Sequence, residues 1–72
     1  MRIDVMKEIV AEEVDFMFRD VIEGGQGIGS SDITACMSAC IPAVDGRFAI
    51  DLPLLCHLIH EAIGKLEEEV MA

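Results

Sequence analysis

The sequence predicts an all-α fold: a small three-helix module, long–short–long, that pairs with a second copy into a dimeric helical bundle. Three observations point there. Apolar residues recur at three- and four-residue steps over residues 3–23 and again over 52–71, the period of an amphipathic helix. Between these stretches, residues 31–41 carry a single charge, Asp32. The chain is also short for its apolar content, with 72 residues of which 53% are hydrophobic. A domain of this size buries only about 60% of the surface its unfolded chain exposes. Sharing surface with a second copy covers the excess most simply.

Residues 3–23 read as the first helix of a single domain spanning 1–72. Ile3, Met6, Val10, Val14, Met17 and Val21 form its main stripe. Val5, Ile9 and Phe16 lie on one flank, and Ala11, Phe18 and Ile22 on the other. With half the circumference apolar or mixed, one neighbouring helix is too little cover. Glu13 and Asp20 sit between the stripe and the Phe16 flank, where they would rim an interface.

A glycine-rich loop, 24–29, follows, with Gly24 as the expected left-handed cap. Gly25, Gly27 and Gly29 have the spacing of a phosphate loop, but a charged helix precedes them rather than a buried strand. No basic residue lies between Arg19 and Arg47 to assist a phosphate. The short second helix, 31–41, is expected to start on a Ser30 or Ser31 cap and to stop before Pro42. Its small residues and its lack of charge predict burial on nearly every side.

Residues 42–51 read as a turn-rich link containing Asp45-Gly46 and a short extended segment at Phe48–Ile50. Asp51 is a good N-cap for the third helix, 52–71, with Pro53 in the first turn. Its stripe is Leu52, Leu55, Ile59, Ala62, Ile63, Leu66 and Val70, with Leu58 on the shoulder. The two long helices are expected to pack antiparallel with the short one inserted. Ile33, Cys36, Met37, Cys40, Leu55, Ile59, Ile63 and Leu66 are the expected core and dimer residues.

Charge narrows the function. There are 14 acidic residues against 5 basic ones, a formal charge of −9. Nucleic-acid binding rests on neutralising phosphates with Lys and Arg, and attraction to anionic membranes needs the same residues. Neither is expected; a basic-surfaced protein partner is. The sequence has no continuous apolar run of membrane-spanning length and no basic, apolar start of signal-peptide type. Three cysteines then read as reduced thiols of a cytoplasmic protein.

The constellation with most chemistry is Cys36-x3-Cys40 together with Cys56 and His60. Each pair shares one helix face, so two adjacent helices would present three sulfurs and an imidazole to Zn²⁺. The competing reading treats the cysteines as small core residues. Cys56 with His60 lacks an evident orienting group for nucleophilic catalysis. The many carboxylates lie on solvated faces, where nothing tunes them for acid–base work. The leading expectation is therefore a non-enzymatic, acidic regulator, adaptor or inhibitor that acts by protein contact as a homodimer. Its partner-facing residues are Ile9, Glu13, Phe16 and Asp20, and it needs no cofactor. A Zn-type site at Cys36, Cys40, Cys56 and His60 is the alternative, and capture of a small ligand in the dimer core a further one.

Overall fold

The computed structural model describes residues 3–44 and 51–71. It is all-helical: α1 spans Ile3–Glu23, α2 Ser30–Val44 and α3 Leu52–Met71, with no strand among the described residues. The extended segment expected at 48–50 and the Asp45-Gly46 turn lie outside the described residues. No described helix is long and apolar enough to cross a membrane.

The core is built on α1. Met6, Val10, Val14, Phe18 and Ile22 are its buried residues, a strict four-residue repeat. Such a row drifts slowly around the helix, by about 40° per step. One edge of α1 can therefore serve two neighbours in turn. This differs from the expected stripe. Phe18 and Ile22 belong to the core, whereas Ile3 is 42% exposed and Met17 and Val21 are only half-buried. Leu55, Leu58, Ile59, Ile63 and Leu66 of α3, with Cys36 and Cys40 of α2, complete the core. Leu58 thus joins the core, while Leu52, at the first turn of α3, stays 49% exposed. Helix α1 packs most extensively on α3, less on α2, and the α2–α3 seam is the slightest.

Helix direction departs from expectation. Arg19, near the C-terminus of α1, comes within 3.9 Å of Glu69, near the C-terminus of α3. The two long helices therefore run parallel. Helix α2 runs back against them: Ser30, Ile33, Thr34 and Met37 of α2, with Ile28 and Gly29 before it, line one groove with Cys56, His60, Ile63 and Glu67 of α3. Up–down–up is what two successive reversals of the chain dictate. Tertiary pairing, not either helix's own pattern, sets the direction.

The turn chemistry explains the boundaries. Gly24 N–H donates to the Asp20 carbonyl at 2.9 Å, continuing the helical ladder. Gly25 N–H then donates to Ile22 at 3.0 Å and Gln26 N–H to Val21 at 3.1 Å. These are the two bonds of a Schellman cap. The left-handed residue is Gly25, at φ +78°, not Gly24. At the start of α2, Ile33 N–H donates to the Gly29 carbonyl at 3.1 Å, and Gly29 N–H donates to Asp32 Oδ2 at 2.9 Å. Gly29 is therefore the N-cap rather than either serine. Asp32 supplies the reciprocal half of a capping box. Asp51 does cap α3: its Oδ1 accepts from Leu54 N–H at 3.2 Å.

Two further expectations for α2 change. The helix continues through Pro42 to Val44. Proline removes one ladder donor, and here that affects only the last turn. The carbonyl it leaves, on Ser38, belongs to an exposed residue that water can reach. Nor is α2 buried all round. Cys36 and Cys40 are fully buried, Ile33, Met37, Ala39 and Ile41 are half-buried, and Thr34, Ala35, Ser38, Pro42 and Ala43 are exposed.

The cap assignment gives a direct test. Gly25→Ala forces a side chain into the left-handed region and should cost about 1 kcal/mol in urea unfolding. Gly27→Ala, where a Cβ meets nothing within 4 Å and φ is not positive, should leave stability unchanged or slightly raised.

Candidate contact surface

Residues 9, 13, 16 and 20 step by four, three and four along α1, so they form one strip of the helix surface. At its centre Phe16 is 87% exposed. Phe18, two residues on, is 3% exposed. The contrast follows from helix geometry: two residues apart is about 200° around the axis, so burying one ring turns the other outward. Asp20 is exposed, while Ile9 and Glu13 are half-buried because the strip leans toward α2. Ile9 packs on the edge of the core. The strip thus offers an aromatic ring with a carboxylate one turn before it and another one turn after.

The cysteines divide between two environments. Cys36 and Cys40 are both 0% exposed and lie one turn apart on α2. Burial raises both thiols, opposed in Cys36 by the neighbouring Cys40 thiol and reinforced in both by the Glu13 carboxylate. Cys40 is pushed up to about 12. Cys56 is half-buried and His60 exposed; both line a separate groove of 530 Å³ between α2 and α3, with Ile33, Met37 and Ile63. The four candidate zinc ligands are thus not gathered at one point. Among the described residues no group of three or more His, Cys, Asp or Glu is placed to hold a metal ion. All three cysteines are free thiols. Of the expected core and dimer residues, Cys36, Cys40, Leu55, Ile59, Ile63 and Leu66 are buried, whereas Ile33 and Met37 are half-buried at the rim of the α2–α3 groove.

A second groove, of 210 Å³, lies on the α1–α3 seam. Ala11, Val14, Leu58, Ala62 and Leu66 make its floor, and Lys7, Asp15, Glu61, Lys65 and Glu69 its edges. Sequence reasoning does not assign this site. Only parallel α1–α3 packing brings Lys7 and Lys65 to one groove.

The acids at its edges are already engaged. Arg19 binds Asp15 through two nitrogens, with Nη2 at 2.7 Å, and lies 3.9 Å from Glu69. Its hydrogen bonds hold the Asp15 carboxyl below the usual carboxylate range. Glu61 lies 3.0 Å from His57 Nε2. Lys7 and Lys65 make no ion pair among the described residues.

The buried thiols fix a pH dependence. Above pH 9.0, the ordinary value of a thiol, the unfolded chain releases protons that the folded chain still holds. Stability then falls with rising pH. Thermal unfolding should lose ground steeply from pH 9 toward about 11, and Cys40→Ala should flatten that slope while lowering the baseline at neutral pH. In the native protein at neutral pH, a thiol reagent should modify Cys56 rapidly and the other two only on unfolding.

No protein-family model, curated protein or solved structure matches this chain.

Proposed function

We propose that this chain is a non-enzymatic protein-binding module, a small cytoplasmic regulator, adaptor or inhibitor that self-associates as a homodimer and acts by surface contact. The observation that carries the reading is Phe16. A ring left 87% in water forgoes roughly 2 kcal/mol of burial, and aromatic anchors of this kind dominate binding energies where a partner covers them. Glu13 and Asp20 define the chemistry of the partner: an apolar recess edged by Lys or Arg. The formal charge of −9 favours such a partner at longer range and disfavours nucleic acid. No catalytic role is assigned to any residue, and no cofactor is required.

The reading is tested by reversing the two carboxylates. Glu13→Lys/Asp20→Lys should retain full helicity by circular dichroism and lose roughly tenfold or more in capture of the native partner from extract. Phe16→Ala should lose at least as much. Unchanged capture by both variants would remove this face from the function.

A further inference from the structure

We propose that the α2–α3 groove receives a basic amphipathic helix of another protein. The groove shares no residue with the Phe16 strip, so this is a second contact surface beyond the one already assigned. Its 530 Å³ lie open to solvent between two helices whose mutual seam is the slightest in the fold. Ile28, Ile33, Met37 and Ile63 supply its apolar lining. All but Ile63 are only half-buried and still offer surface to a partner.

Shape selects a helix over an enclosed small molecule. Small-molecule sites cover most of their ligand's surface, and an open trough does not. Along α3 the lining runs from Cys56 to Glu67, a rise of about 16 Å or roughly three turns. Over that span a docked helix sets apolar anchors at i, i+4 and i+7. Met37 suits such a contact, because its unbranched thioether adapts to the side chain that arrives.

Charge selects a basic helix. No Lys or Arg lines the groove. Of the described basic residues, Lys7 and Lys65 edge the other groove and Arg19 is held by Asp15. Glu67 lines this one and makes no ion pair among the described residues. Asp32, whose Oδ2 accepts from the Gly29 N–H of the groove wall at 2.9 Å, adds a second carboxylate. The formal charge of −9 draws a cationic segment in from further away. The same charge disfavours a second copy as occupant. The exposed faces of α1 and α3 are rich in Asp and Glu, and like charges would meet at the groove.

The probe is an amphipathic peptide of about 18 residues, Leu on one face at i, i+4 and i+7 and Lys on the other. Added to the full chain at about ten times its Kd, it should slow alkylation of Cys56 roughly tenfold, because that half-buried thiol lines the groove. Thr34→Lys/His60→Lys sets two cations at exposed positions of the lining and should weaken binding roughly tenfold or more. Glu8→Lys makes the same change in formal charge on α1, away from the groove, and should weaken it no more than about twofold. Phe16→Ala should bind as the wild type does. Circular dichroism verifies the fold of each variant. Five results would overturn the proposal. They are Cys56 alkylation that the peptide leaves unchanged, equal binding of a peptide with Gln for every Leu, equal weakening by Glu8→Lys, loss of binding in Phe16→Ala, and alkylation that slows with protein concentration alone. The last would give the groove to a second copy.

Discussion

The four-residue repeat of α1 is the constraint on which the rest depends. Met6, Val10, Val14, Phe18 and Ile22 supply five of the twelve hydrophobic residues buried among the described residues, all from one ridge. A ridge that drifts as it climbs cannot be covered by one straight neighbour. Helix α3 takes the larger share and α2 the remainder, and these two touch each other least. The architecture is better described as two helices laid on a third than as a symmetric bundle. Both grooves follow from it. One opens where the α2–α3 seam is loose, and the other where small alanines on α1 and α3 leave their seam shallow.

Committing the ridge to the core has a cost on the opposite side of the helix. With Phe18 turned inward, Phe16 must point outward. Moving Phe16 inward would mean rotating α1 and exposing the whole ridge, several side chains each contributing roughly 2 kcal/mol. The exposed ring is therefore a consequence of the core as well as a candidate anchor. Arg19 has a comparable double role. It bridges Asp15, Glu23 and Glu69, joining the ends of the two long helices where carboxylates crowd. In doing so it engages Asp15 and Glu69, with which the lysines of the α1–α3 groove make no ion pair among the described residues.

Much of this architecture is legible in the sequence, and the parts that are not share a physical origin. Helical periodicity is a local property, so three helices and the Asp51 cap can be read directly. Direction is not local. An amphipathic stripe specifies which face is buried but not which way the neighbour runs, and the parallel pairing of α1 with α3 is absent from either pattern. Cap positions depend on which of several adjacent glycines bears the positive φ, and Gly24 and Gly25 are indistinguishable by type. The exposure of α2 has the same character: small uncharged residues suit a buried helix, yet only Cys36 and Cys40 find a fully covering neighbour. Of the candidate sites, the Phe16 strip follows from spacing alone. The groove does not, because Lys7 and Lys65 are brought together only by the tertiary fold.

Parallel α1 and α3 also give the molecule electrical polarity. In an antiparallel pair the peptide dipoles would largely cancel; here those of the 21- and 20-residue helices add, and the opposed 15-residue α2 offsets only part of the sum. Both negative poles emerge at the end that carries Glu23 and Glu67–Glu69. In the field of a positively charged surface the 35 Å body experiences a torque as well as a pull, so it would arrive with that tip leading.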